Sequence, residues 1–323
     1  MFSKRFLPRL EAMQPLTLAS PGADAPASRR SARASTQARA GLLLAMPAAL
    51  LLIALVLLPS SAVLVLSLTD YQLGLGNSRF VGLDNYAVMV ADTKFRGSLR
   101  NTIIYVAVVA PLSIGLGLLF AMMIEARTTL KAWYRTAFFL PVTATLVAMA
   151  TAWEVLLHPT FGLFNTILAI FGASKVRFLS DPDIALLAIA AIGVWKQLGF
   201  NLILFLAGLS TIRSELYDSA SLDGADRGWR RFLLVSWPML GPVTLFVVVI
   251  TLIRAFSDFE AVVVLTDGGP VRSTSVVLFL LYEEAFRYFK IGTGSSIAVM
   301  FLLFVAFVSW LQMRIGDKRI HHV

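Results

Sequence analysis

Six long apolar stretches separated by polar connections run from Leu42 to Leu68, Thr102 to Ile124, Ala137 to Leu157, Ala185 to Leu209, Met239 to Phe259 and Ser295 to Met313. Crossing a bilayer core takes about 20 residues of helix, and each stretch is close to or above that length. With no water inside the bilayer, a crossing chain must satisfy its backbone N–H and C=O groups internally, so such stretches predict helices. Pro47, Pro59, Pro111 and Pro141 fall within or near them. Membrane helices tolerate proline because neighbouring groups take up the freed carbonyls. The fold class expected is all-α, a polytopic membrane protein with about six transmembrane helices.

Composition strengthens this reading. The 323 residues are 58% hydrophobic and 15% charged, whereas ordinary soluble domains are about 45–50% apolar and about 25% charged. Mean hydropathy is +0.78. The net charge of +9 is read connection by connection, since Lys and Arg gather on the cytoplasmic side of short loops. Lys4, Arg5, Arg9, Arg29, Arg30, Arg33 and Arg39 precede the first stretch, and Arg127, Lys131 and Arg135 follow the second. Arg213, Arg227, Arg230 and Arg231 follow the fourth, and Arg314, Lys318 and Arg319 end the chain. In the alternate connection from Ser257 to Thr293, acids balance the positive charges. Both termini and the 213–242 connection are therefore expected in the cytoplasm, with lipid and not nucleic acid around the chain.

Residues 1–40 are rich in Ser, Ala, Arg and Pro without apolar periodicity, and a disordered basic cytoplasmic arm is expected there; a transit peptide or a later start, for instance at Met13, is the alternative. No cleavable signal peptide is evident, because the apolar run from Gly41 is too long for one. Residues 41–323 are expected to form the membrane domain, with the connection at 213–242 as its cytoplasmic loop. The absence of cysteine excludes disulfides and thiolate metal sites.

The polar connection at 213–242 is the most informative. Glu215 to Leu222 favours a short helix, Gly224 offers the backbone freedom of a turn, and Asp226 is placed to cap a second helix through Phe232. The stretch Asp218-Ser219-Ala220-Ser221-Leu222-Asp223-Gly224, followed by Ala225 and Trp237-Pro238, resembles the E-A-A-x-x-x-G signature of permease subunits of binding-protein-dependent ABC importers. Ser67 to Tyr71, Phe80 to Tyr86, Arg135 to Pro141, Val194-Trp195-Lys196 and Leu265 to Pro270 resemble the carbohydrate-type permeases, and Val194 to Gln197 those for glycerol phosphate. Asp218 stands where the family usually has Glu, Ser219 where it has Ala, and Arg213 where proline is frequent.

The resemblance implies a type I importer permease fold in the bacterial inner membrane and an ATPase-coupling role for Asp218, Ser219, Ala220, Asp223, Gly224, Ala225 and Pro238. It also implies a second permease as a heterodimer partner, two ATPase subunits carrying ATP and Mg, and an extracytoplasmic binding protein. The chain has no G-x-x-x-x-G-K-[ST] loop and is expected to be a non-catalytic subunit without a cofactor of its own.

Charged and polar side chains inside spans are costly and mark pathways or internal pairs. Lys196, Gln197 and Asn201 lie in the fourth stretch, and Arg254 and Asp258, four apart and so expected to share a helix face, in the fifth. Two readings stand: a solute path whose cations suit an acidic or phosphorylated solute, or an interhelical salt bridge involving Glu260 as well. An ion-coupled secondary transporter is the alternative from another class. A metalloenzyme is disfavoured because His158, His321 and His322 form no H-E-x-x-H pair.

Overall fold

A computed structural model describes residues 41, 43–76, 78–126, 131–225 and 228–320. The expected arm at 1–40, and Arg127, Asp226, Arg227, His321 and His322, lie outside the described residues. The chain divides into two compact units, Met1–Ser60 and Ser61–Val323. Helix α1, Leu43–Leu66, carries no charged residue, and none of its most apolar window is buried.

The remaining helices are α2 (Asp84–Ala91), α3 (Thr93–Glu125), α4 (Lys131–Thr143), α5 (Leu146–Leu156), α6 (Leu163–Ile170), α7 (Ala185–Ser210), α8 (Ser214–Leu222) and α9 (Gly228–Met239). They are followed by α10 (Gly241–Ser257), α11 (Glu260–Leu265), α12 (Val277–Tyr282) and α13 (Ile291–Ile320). Among the described residues the only β pairing is an isolated antiparallel bridge between Thr69 and Phe80.

Among the described residues four helices, α1, α3, α7 and α13, are long and apolar enough to cross a membrane unbroken, and the total is six when each of two bent pairs is counted as one span. The third expected span, Ala137 to Leu157, is thus broken within its length, and the fifth, Met239 to Phe259, begins at a bend. Between α4 and α5 the axis turns by 101°. Pro141 cannot donate to the helix ladder, and Thr145 is extended at φ −65°, ψ 139°, so the last turn of α4 is not continued. Between α9 and the α10–α11 run the turn is 73°, where Gly241-Pro242 interrupts the ladder for the same reason. Span limits also move. Helix α3 starts at Thr93, not Thr102, because Asp92 caps it by accepting the Lys94 N–H at 2.8 Å, and this first polar part is invisible to an apolar pattern.

Within Ser61–Val323, α7 is the hub. Two-thirds of its apolar window is buried, 67%, against 33% for α3 and for α13. Lipid tails are as apolar as leucine, so membrane helices associate through close packing at small residues and through hydrogen bonds. Three glycines of α7 each admit a different neighbour. A Cβ at Gly193 would strike the Tyr105 ring of α3, one at Gly199 the Phe138 carbonyl of α4, and one at Gly208 Leu240 and Val243. From the α3 side, Gly117 makes the complementary approach, with a Cβ there falling 2.9 Å from Asn201 Cβ. Tyr105, Val109 and Ile189 fill one end of the α3–α7 seam, and Ala121, Leu202 and Phe205 the other.

Gly199→Ala should destabilise the membrane domain by about 1–3 kcal/mol through overpacking against a backbone oxygen that cannot rotate away. Gly115→Ala, at a position with open space around it, should be neutral or stabilising by up to about 1 kcal/mol. Thermal melting of the purified protein in detergent compares the two.

Candidate functional site

The polar connection folds as a helix, a left-handed turn and a second helix. Helix α8 ends in a Schellman motif: Gly224 N–H donates to Ser221 O at 3.1 Å and Ala225 N–H to Ala220 O at 2.9 Å. The motif requires the residue after the cap to be left-handed, and Gly224 has φ +78°. Ala225 is buried while Asp218, Ser219, Asp223 and Gly224 are exposed and Ala220 is half-buried. Ser219 turns its hydroxyl inward to Glu215 O at 2.8 Å, and the exposed carboxylates of α8 are Glu215 and Asp218.

The returning helix is α9. It begins at Gly228 and runs through a π-helical stretch, Phe232–Ser236, to Met239, well past the expected end at Phe232. Tyr217 OH and Ser236 Oγ lie 3.1 Å apart, and Arg231 Cζ sits 4.0 Å from the Tyr217 ring centroid. Phe232 is buried between the Trp229 and Trp237 rings, at 5.0 and 5.8 Å. These contacts fix α8 to α9, and Pro238 stays exposed near the bend into α10.

The intramembrane polar residues separate into two groups. Asn201 is fully buried: its Nδ2 donates to Ser113 Oγ of α3 at 3.2 Å, and Thr251 Oγ1 of α10 donates to its Oδ1 at 2.8 Å. It clasps three helices, and Gln197 is buried beside it in sequence. The expectation that Arg254 and Asp258 share a helix face is corrected. Helix α10 stops at Ser257, and Asp258 is extended, with ψ 104°. Its carboxylate instead lies 4.0 Å from Lys196 Nζ and accepts the Tyr105 hydroxyl at 2.8 Å. Asp258 is 7% exposed against 30% for Lys196. Arg254 is exposed, makes no ion pair among the described residues, and rests 3.8 Å over the Phe200 ring.

Phe200 and Tyr105 were missed by the sequence reading. Phe200 carries a weak signal, four residues after Lys196 on one helix face; Tyr105 carries none, because its partner is 153 residues away. Beyond α11, residues Asp267 to Arg272 form a tight knot. Asn101 Nδ2 donates to Arg272 O and Ser275 O at 3.1 and 3.0 Å, and Arg272 pairs with the buried Glu283 at 2.6 Å. Hydrogen bonding to Asp267 pushes the pKa of Arg287 above its usual value. Among the described residues no group of three His, Asp or Glu is placed to hold a metal ion.

A helical domain of this length and apolarity, packed on a buried hub, is a multi-pass membrane protein. The sequence profile described as "Binding-protein-dependent transport system inner membrane component" matches residues 113–321, and the chain belongs to that family. It is 32% identical over 247 residues to the sn-glycerol-3-phosphate transport system permease protein UgpA of Agrobacterium fabrum, covering 76% of this chain and 84% of that one. It is 31% identical over 286 residues to the trehalose/maltose transport system permease protein MalF of Thermococcus litoralis, covering 88% and 95%. The fold matches a chain of a bacterial alginate ABC transporter crystallised with an alginate pentasaccharide-bound periplasmic protein, at TM-score 0.78 and 20% identity over 88% of this chain and 97% of that one. The protein is thus an inner-membrane permease component of an ABC importer.

Gly224→Ala should cost about 1–2 kcal/mol by forcing a Cβ into the left-handed region. Faster amide exchange at Ala225, whose N–H closes the motif, is the expected measurement; Gly224→Asn should exchange closer to wild type.

Proposed function

We propose that α8 and its Schellman turn form the surface on which a partner ATPase acts, and that this surface lies at the cytoplasmic face. The observation that carries the reading is the conjunction of an exposed Asp218 on α8 with a returning helix clasped to it through Tyr217, Ser236 and Arg231. A force applied to α8 is passed to α7 on one side and to α9 and α10 on the other. Asp218, Ser219, Ala220, Asp223, Gly224, Ala225 and Pro238 make up the coupling surface. Lys and Arg placement supports the orientation, with both termini on the same side as the loop.

The complete importer in this reading has this chain paired with a second permease, two ATPase subunits that bind ATP and Mg, and an external binding protein that delivers solute. Hydrolysis belongs to the ATPases, and this chain contributes the path. The solute is a sugar or a glycerol-3-phosphate-like anion. Arg254 favours the anion: an exposed guanidinium in a membrane span, without a carboxylate partner among the described residues, is costly unless it serves a ligand. Lys196 is already matched by Asp258 and sets the local geometry. Family membership gives the ion-coupled transporter no support.

Asp218→Lys should weaken co-purification of the ATPase by about tenfold, equivalent to about 1.4 kcal/mol, while insertion is unchanged. Undiminished ATPase capture and uptake would count against the coupling surface. Arg254→Ala should slow ATP-driven uptake of sn-glycerol 3-phosphate into liposomes by about tenfold more than uptake of a neutral disaccharide. Equal losses for the two solutes would make Arg254 a structural residue.

A further inference from the structure

A second site lies where α3, α7, α8 and α9 meet. It is a cavity of about 810 Å³, walled on one side by Leu119, Met122 and Met123 of α3 and on the other by Ser214, Tyr217 and Arg231. We propose that this cavity binds a phospholipid of the surrounding leaflet, with Arg231 taking the headgroup phosphate and one acyl chain lying along α3.

Three observations favour a lipid. First, the α3 wall is continuous with apolar surface: Leu119 is 45% and Met123 51% exposed on a membrane-spanning helix, so an acyl chain reaches the cavity without crossing a polar barrier. Second, the opposite wall is polar and cationic. Arg231 is half-buried, makes no ion pair among the described residues, and lies over the Tyr217 ring at 4.0 Å, which holds its position but supplies no acceptor for its N–H groups. A planar guanidinium with free donors matches phosphate oxygens bidentately. Third, the carboxylate that lines the cavity, Glu125, lies 4.0 Å from Arg135 and forms no ion pair with Arg231.

The size is also suitable. Sites that enclose most of a small ligand run to about 300–1,000 Å³, enough here for a headgroup and the first part of one chain. Basic pockets between membrane helices bind anionic headgroups in preference to neutral ones, because the leaflet's negative lipids gain a paired charge there. A soluble phosphate would satisfy Arg231 and leave the Leu119, Met122 and Met123 wall in contact with water. A lipid satisfies both walls, and this separates the two sources of the same phosphate chemistry.

The test is quantitative lipid analysis and native mass spectrometry on the assembled importer purified in mild detergent from membranes containing phosphatidylglycerol and phosphatidylethanolamine. Wild type should retain phosphatidylglycerol selectively, and Arg231→Ala should lower its retention by about tenfold, with Arg231→Lys in between. Met122→Trp, which fills the apolar wall and leaves every charge in place, should lower retention of both lipids. Undiminished phosphatidylglycerol in both Arg231→Ala and Met122→Trp overturns the site. Displacement of the bound anion by millimolar inorganic phosphate assigns Arg231 to a soluble ligand and also overturns it. Loss of ATPase subunits from Arg231→Ala with full lipid retention makes the residue a protein contact, again against the proposal. Because Arg231 also holds α9 to Tyr217 of α8, Met122→Trp, which spares that contact, separates the two readings: lipid loss there with ATPase capture intact leaves the coupling surface standing, and Asp218→Lys with lipid retained leaves the lipid site standing.

Discussion

The close approach of three neighbours to α7 is the constraint on which the membrane domain depends. Gly193, Gly199 and Gly208 lie on one helix but face α3, α4 and the α9–α10 bend respectively. Without a hydrophobic driving force between helices, such approaches gain dispersion contacts that any side chain would prevent. The Asn201 clasp sits within the same seam. Side-chain hydrogen bonds between membrane helices are worth about 0.6–2 kcal/mol, so the clasp adds less energy than specificity. Sliding α7 by one residue would strand Asn201, Ser113 and Thr251 together and bring side chains where the glycines now are.

That hub explains the arrangement of the charged residues. Because Gly193 lets Tyr105 come close, the Tyr105 hydroxyl reaches Asp258, and Asp258 in turn faces Lys196 one turn along α7 from the glycine. The pair is held by three separate elements and is largely shielded, which suits a fixed structural role. Arg254 is differently placed. A cation over an aromatic face retains part of its electrostatic stabilisation but keeps its hydrogen-bonding edge free. The two intramembrane cations that a linear reading treats alike are therefore unequal, one matched and one available.

Much of this was legible in the chain. Apolar length announced the helices, and Gly224 with its flanking Asp223 and Ala225 announced the turn, because few residue choices permit a left-handed cap. What was hidden depends on non-local or broken geometry. The bend after Thr143 lies inside a stretch that remains apolar throughout and the one at Leu240 at the edge of another, so hydropathy does not see them, and only Pro141 and Pro242 hint at them. The assumed Arg254–Asp258 face failed because spacing by four implies proximity only while the helix continues, and α10 stops at Ser257. The Asn201 clasp joins residues 88 and 50 positions apart, and no local pattern encodes either bond.

The coupling reading gains a physical basis from where α8 is anchored. Helix α7 ends at Ser210 and α8 begins at Ser214, so only Thr211, Ile212 and Arg213 separate the hub from the exposed helix. A connection this short passes displacement with little slack, whereas a long flexible one would absorb it. On the other side, the π-helical stretch Phe232–Ser236 and the bend at Leu240 are places where the backbone ladder is already irregular. Irregular ladders are where helices change angle at low cost. In the proposed mechanism the stiff route through α7 carries the stroke to Lys196 and its partners. The bent route through α9 lets α10, with Arg254, move relative to them. A carrier that must open first to one side and then to the other needs that inequality, since two equally stiff arms would move the whole domain as one body.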